Sequence, residues 1–410
     1  IRYNNGRFYM VTTNDTTHRN FYVYTDDIHG EWSDPITIDQ DGIDPSLYFE
    51  DGRAFFISNG TDCEGKGGVV QCEINIETGE KLTESRCIWQ GSGGRYLESP
   101  HMYKIGKYYY LMAAEGGTEY GHMITYARSE SVWGKFEGYP HNPVLTNRNK
   151  APFIIQGIGH GDLIQDKNGE WHIICLGFRQ IHMWMTYHHL GRECFLIPVT
   201  FHKDGWFTAG NGTCEESYEL SGDFAQLPLK TYTLENIGHD ICHLRHPHTE
   251  NYSITKDKIT LKGTDVTLDD VASPTFAGVR QRDFDMDCSV SVSVSDGEGG
   301  LTVYSCETEH YDLALRKNES GYEAILRLNI GGIRHVEKAV QIPSGSAKLI
   351  IRSDSQVYKF FVQSQGEEIP MGFAMSKYLS SEVCGGFTGT VIGMYAVKGS
   401  AEFTDLRISY

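Results

Sequence analysis

The chain has 410 residues, enough for two or three domains, and 40% of them are hydrophobic. A net charge of −18 repels phosphate backbones and excludes nucleic acid as the expected partner. No apolar run is long enough to predict a membrane-spanning helix.

Aromatic residues reach 12%, with 24 tyrosines among them, and 45 glycines but only 12 prolines punctuate the chain. That balance predicts strands joined by turns rather than helices. Ten scattered cysteines form no Cys-x-x-Cys pair, so they read as reduced, partly buried thiols and not as a zinc framework. They favour a cytoplasmic setting. Secretion stays open, because Ile1 opens in the middle of a strand-like pattern and upstream sequence is expected.

A repeat organises the first half. Its unit is an apolar or aromatic pair, a short turn with Gly, and an aromatic-rich strand. The copies are IRYNNGRFYMV from Ile1, SLYFEDGRAFFI from Ser46, HMYKIGKYYYLM from His101, DLIQDKNGEWHIIC from Asp162 and PVTFHKDGWF from Pro198. Their turn glycines are Gly6, Gly52, Gly106, Gly169 and Gly205, spaced by 46, 54, 63 and 36 residues. Each copy reads as a β-hairpin. A period near 50 residues predicts propeller blades, with a β-sandwich of coincidental hairpins as the plainer alternative.

Counting back from the glycines places polar residues. Asp44 lies eight before Gly52, Glu98 eight before Gly106, and His160 nine before Gly169, where the turn is one residue longer. Equivalent positions on innermost strands converge on the channel of a propeller. The matching position in the first copy falls upstream of Ile1, so that blade is expected to be missing or incomplete. Paired carboxylates at a channel mouth suit acid-catalysed glycoside cleavage. The bland readings are a surface Glu98, an Asp44 that caps a turn before Pro45, and a buried hydrogen-bonded His160.

The segments GIDPSLYFEDGR, GGRYLESPHMYKIGKYYYLMAAEGGTEYGHM, GIGHGDLIQDKNGEWH and HHLGRECFLIPV resemble, in order and spacing, the inverting glycoside hydrolases of family 43, in the β-xylosidase and α-L-arabinofuranosidase branch. The resemblance implies a five-bladed propeller followed by a lectin-like β-sandwich. It makes Glu98 the general acid and Asp44 the residue that tunes and orients it. It puts His160 at the pocket floor, where Ca2+ would be held through water, and Arg192 on sugar hydroxyls, the plain alternative being a salt bridge with Glu193. Thr118 would lie near the bound sugar, with Arg179 a weaker pocket candidate. Ser99 stands where the family has Gly between Glu and Pro. The family's general base, an Asp in an Asp-Pro motif, has no counterpart here and is expected upstream of residue 1.

The tract from Ile181 to His189 looks metal-binding but is expected to form a rim loop, with Trp184 stacking on a second sugar ring. The propeller is predicted over 1–218 and a linker over 219–235. From 236 to 410 the segments CSVSVSV, GLTVYSC, YDLALR, YEAILRLNI, KLIIRS, QVYKFFV and FTGTVIGMYAV alternate with period two and predict the sandwich. Phe387 is the candidate it would lend to the pocket rim, although it could equally be core. The resulting expectation is an exo-acting, inverting hydrolase that releases xylose or arabinose from xylo-oligosaccharides or arabinoxylan fragments, with no nucleic-acid or membrane partner and with a homo-oligomer compatible. The rivals are a carbohydrate-binding protein impaired by its missing base, an endo-arabinanase and a protein-binding scaffold.

Overall fold

A computed structural model describes residues 1–181, 186–219 and 229–410. The first unit contains Ile1–Phe178 and resumes at Glu193. The second contains Arg179–Arg192 and the chain beyond the linker to Tyr410. The boundary therefore interrupts the continuous propeller range expected from sequence, with a short excursion between Phe178 and Glu193.

The first unit is four antiparallel four-stranded sheets, each built from consecutive strands. The first holds β1 (Arg2–Asn4), β2 (Arg7–Asn14), β3 (Arg19–Thr25) and β4 (Ile36–Ile38). The second holds β5 (Ser46–Glu50), β6 (Arg53–Thr61), β7 (Gly67–Ile74) and β8 (Arg86–Trp89). The third holds β9 (Glu98–Ile105), β10 (Tyr108–Glu115), β11 (Met123–Ser129) and β12 (Glu137–Gly138). The fourth holds β13 (Ile155–Gln165), β14 (Trp171–Arg179), β15 (Glu193–Phe201) and β16 (Phe207–Ala209). These are propeller blades, and the first four repeat copies each fall on a different one; the fifth copy, from Pro198, is not a further blade but the β15–β16 hairpin of the fourth.

Side-chain alternation explains how the blades stack. Successive residues of a strand face opposite sides of its sheet. In β6, Phe55 and Ile57 pack with Met102, Tyr109 and Leu111 of the third blade. Ala54 and Phe56 point the other way and pack with Tyr9, Tyr22 and Ile38 of the first. In β10 the neighbours Tyr110 and Met112 turn to Ile158, Ile173, Ile197 and Phe207 of the fourth. Inner blades are thus covered on both faces, which is why AFFI and YYYLMA are continuously apolar where a half-exposed strand would alternate.

The second unit is a sandwich of two antiparallel sheets. One runs, in hydrogen-bonded order, through Tyr252–Ile254, Ile259–Gly263, Gly399–Ser409, Met286–Val294, Ser346–Ser353, Val357–Ser364 and Glu367–Met375, with Tyr232–Thr233 also paired to Gly399–Ser409. The other runs through Thr275–Arg280, Val391–Val397, Glu298–Cys306, Glu309–Asn318, Gly321–Ile330 and Ile333–Ile342. Val290, Leu349, Phe360 and Phe403 of the first meet Leu301, Leu313, Leu326 and Met394 of the second in one core. The linker expected over 219–235 overlaps this sheet at Tyr232–Thr233.

Candidate active site

Two of the positions singled out by the repeat, Asp44 and His160, carry unusual backbone, and so does Ser99 beside the third. Asp44 has φ 52°, Ser99 φ 55° and His160 φ 46°, a left-handed region that non-glycine residues enter at a cost and that clusters at functional sites. The pairing shows why Ser99, and not Glu98, is the left-handed member. In the second blade the hairpin closes at Glu50 with Arg53, so Gly52 is the second turn residue. In the third it closes at Ile105 with Tyr108, so Gly106 is the first. Counted from the last paired residue, Asp44 is six before Glu50 and Ser99 six before Ile105. Glycine counting is therefore off by one for Glu98. A bulge between Met112 and Ala114 absorbs the extra residue and leaves Glu98 opposite Ala114 at the head of β9.

Asp44 and His160 come together. His160 Nδ1 lies 3.9 Å from Asp44 Oδ2, and both line a cavity of about 430 Å³ with Arg2, Thr12, Thr13, Asp15, His18 and His101. Glu98 is half-buried and is not among that cavity's lining residues.

Below the cavity, residues of three blades interlock. Arg2 on β1 donates from Nη1 to Asp162 Oδ2 at 2.8 Å and from Nη2 to Asp162 Oδ1 at 3.2 Å. Nη2 also meets His101 Nδ1 at 2.9 Å. The Tyr103 hydroxyl donates to Asp162 and accepts from the Leu163 amide at 2.9 Å. Desolvation pushes the His101 imidazole down to about 3, so the ring is neutral and its Nδ1 accepts from Arg2. Desolvation works against the charge of Asp162, but neighbouring His101 and Arg2, with hydrogen bonds from Arg2 and Tyr103, bring it down to about 2. Asp162 is thus a permanent anion neutralised by a bidentate guanidinium. None of Arg2, His101, Tyr103 or Asp162 is a sequence candidate. Asp162 and Arg2 stand 160 positions apart, and only blade closure makes them partners.

The strand that carries His160 needs its glycines. A Cβ on Gly157, at φ +64°, would stand 2.2 Å from the Phe178 ring, and one on Gly159 would stand 2.3 Å from the His122 ring. His122 is buried, with Nδ1 3.0 Å from the Gly157 carbonyl. The spaced glycines of GIGHGD thus let two rings press on the strand at the position of His160.

The loop that leads into Glu98 is anchored by a residue the sequence reading passed over. Glu115, fully buried at the end of β10, accepts from Ser92 N at 2.7 Å, Ser92 Oγ at 3.0 Å, Gly94 N at 2.5 Å and Thr125 Oγ1 at 2.8 Å. A buried carboxylate needs such partners. The signal was a lone acid closing an apolar run. Thr118, two residues past Gly116 in the loop after β10, is half-buried.

Arg192 and Phe387 belong to the second unit and come together there. The Arg192 guanidinium lies 3.6 Å from the centroid of the Phe387 ring, and the Arg192 amide donates to the Phe387 carbonyl at 3.2 Å. A Cβ on Gly191 would stand 2.5 Å from the Gly389 amide nitrogen, so glycine at both positions permits the close approach. Phe387 is 46% exposed, which rules out its reading as core. Arg179 donates to the Arg282 carbonyl at 3.0 Å, pairs with Asp283 at 3.5 Å and lies over Phe284 at 4.9 Å. His188 pairs with Glu382 at 2.8 Å. His182 and Trp184 lie outside the described residues.

Comparison with known proteins bears on the family and the fold. Residues 1–207 match the profile of glycosyl hydrolases family 43, and residues 230–407 match the beta xylosidase C-terminal concanavalin A-like domain. The chain is 36% identical to the non-reducing end alpha-L-arabinofuranosidase BoGH43B of Bacteroides ovatus, over 97% of this chain and 77% of that protein. It is 29% identical to a xylosidase/arabinosidase of Butyrivibrio fibrisolvens, over 97% of this chain and 81% of that protein. Among solved structures, the GH43B of the Bacteroides ovatus xyloglucan locus superposes with a TM-score of 0.90 at 35% identity, covering 99% of this chain and 84% of that one. A xylan beta-1,4-xylosidase from Bacillus halodurans superposes with a TM-score of 0.89 at 26% identity, covering 100% of this chain and 85% of that one.

Proposed function

The chain belongs to glycosyl hydrolase family 43 and is a glycosidase of the xylosidase/arabinofuranosidase type, and from that premise we propose that it acts on chain ends, with inversion, releasing xylose or arabinose from xylo-oligosaccharides or arabinoxylan fragments. The observation that carries this reading is the cavity shared by Asp44 and His160. Its volume of about 430 Å³ is at the small end of ligand pockets, which suits a terminal sugar better than the middle of a polymer. Its lining is charged and hydroxylated, as a sugar requires.

In this reading Glu98 protonates the departing glycosidic oxygen. The anchoring of residues 92–94 by Glu115 fixes the chain just before it. Asp44 contributes negative charge at the cavity, which favours the protonated form of a neighbouring acid. Arg2, paired with Asp162, donates to the His101 ring that burial keeps neutral. Arg192, flattened on Phe387, presents a donor fork suited to vicinal hydroxyls.

A calcium ion at His160 would keep most of its waters, because the residues there supply few oxygen ligands. Calcium prefers oxygen ligands, and the protein offers one imidazole with a carboxylate oxygen 3.9 Å away. Held by His160 beside Asp44, such an ion would supply positive charge at the cavity floor and bias nearby carboxyls toward ionisation.

The test is hydrolysis of nitrophenyl β-xyloside and nitrophenyl α-L-arabinofuranoside, with the anomer of the first-formed sugar read by NMR. Turnover to the inverted anomer, lost in Glu98→Gln by about 10²–10⁴-fold, is expected. Retention of configuration, or full activity in Glu98→Gln, would overturn it. Sugar binding without turnover would leave a carbohydrate-binding protein.

A further inference from the structure

Far in sequence from the carboxylates, the sandwich gathers a second set of reactive side chains. Cys306 ends the strand Glu298–Cys306, and Glu309 opens the next strand opposite it in register. Cys384 ends the helical turn Ser381–Cys384. One ligand atom from each of Cys306, Glu309 and Cys384 lies within 4.8 Å of the other two. Glu309 is buried, at 5% exposure, while both cysteines are half-buried and unbridged.

We propose that Cys306, Glu309 and Cys384 form a zinc site, with water in the fourth position, that ties the 381–387 loop to the hairpin at 306–309. Zinc takes thiolate and carboxylate ligands in a tetrahedron, and its bond length of about 2.3 Å to sulfur places two thiolates roughly 3.8 Å apart, inside the observed spread. Two thiolates exclude calcium and magnesium, which take oxygen. The surroundings already favour ligation. Glu309 is oriented through the Gly331 amide, which donates to Oε1 at 3.0 Å, and through Cys306 Sγ, 2.8 Å from Oε2. Binding exchanges thiol protons for the cation, and no electrons move. Phe387 follows Cys384 by three residues, so the metal would steady the loop whose ring carries Arg192.

The experiment uses the full chain, stripped of metal and reduced, with free thiols counted. Cobalt(II) is titrated in as the probe. We expect a thiolate-to-cobalt charge-transfer band and intense four-coordinate visible bands that saturate at one equivalent, disappear on adding zinc, and accompany a higher melting temperature with zinc. Cys306→Ser and Cys384→Ser should each abolish the bands, and Cys63→Ser and Cys194→Ser, at exposed sites, should keep them. Absence of the bands in fully reduced protein overturns the proposal, as does their survival in Cys384→Ser. So does a Cys306–Cys384 disulfide in the purified protein whose reduction yields no cobalt binding. If Cys306→Ser does not fold, Cys384→Ser, on a helical turn outside the sheets, carries the test.

Discussion

Ser99 is the position where this chain trades stability for its local geometry, and Ser99→Gly should recover it. The residue sits at φ 55° and 1% exposure, and its hydroxyl has no hydrogen-bond partner among the described residues. A left-handed non-glycine residue costs about 1–2 kcal/mol, and an unpaired buried hydroxyl about 1 kcal/mol at the low end of its range. Glycine returns roughly 0.5–1 kcal/mol of that as extra chain entropy in the unfolded state. The net expectation is about 1–2 kcal/mol of added stability, or roughly 2–8 °C in melting temperature for a unit of this size. Ser99→Ala separates the causes, because it removes the hydroxyl but keeps the strained backbone. It should gain less than Ser99→Gly by about 0.5–1 kcal/mol. Chemical denaturation of the three proteins, followed by tryptophan fluorescence, makes the comparison. Glycosidase activity should stay within about twofold, since a glycine accepts the same φ and leaves Glu98 in place. If Ser99→Gly is no more stable than Ser99→Ala, backbone strain at the head of β9 is not what the structure implies.

Other substitutions test other parts of the site. Glu115→Gln places an amide where one carboxylate oxygen now accepts from buried donors, and should destabilise by about 2–3 kcal/mol; thermal unfolding reads it, and activity should fall at temperatures where the fold persists. Asp162 has a folded pKa depressed from 3.8 to about 2, so its stabilisation is present above pH ~4 and is lost as pH falls toward ~2, by up to about 2 kcal/mol after allowance for partial exposure. Asp162→Asn should therefore lack that segment of the pH–stability curve, and an unchanged slope between those values would refute the assignment. Phe387→Ala removes the face on which Arg192 lies, worth about 0.5–2 kcal/mol, and should raise KM by roughly twofold to thirtyfold with little change in kcat, measured on the nitrophenyl glycosides.

The parts of the molecule that follow from local periodicity were legible in the sequence. Hairpin glycines and alternating aromatics are properties of neighbouring residues, so the blades and the sandwich could be read from them. Asp44 and His160 emerged because each lies at a fixed distance from a turn on its own strand. Glu98 shows where counting stops. Gly52 and Gly106 occupy different places in two-residue turns, and the bulge at β9 shifts register by one, so the same count of eight lands on non-equivalent positions. Glu98 therefore rests on the motif of the resemblance and not on the periodicity. The floor of the cavity was not legible at all. Arg2, His101, Tyr103 and Asp162 each look ordinary on their own strands, and their coupling depends on three blades meeting.

The same limit applies to Glu115, and there it has a consequence for how the site is held. As a charged residue ending YYYLMAAE it reads as the edge of an apolar strand, yet its carboxylate takes the amides of Ser92 and Gly94. The segment those amides anchor ends at Glu98. A loop bound only by its own turns would let Glu98 wander by more than the fraction of an ångström that the proton transfer proposed for it tolerates. A buried carboxylate costs several kcal/mol unless its partners are complete, so the loop is pinned most firmly when all four donors are present. The placement of Glu98 is thereby coupled to the integrity of β10, whose opposite faces join the second blade to the third and the third to the fourth. Loosening that interblade packing should reach Glu98 through Glu115 before it unfolds the domain.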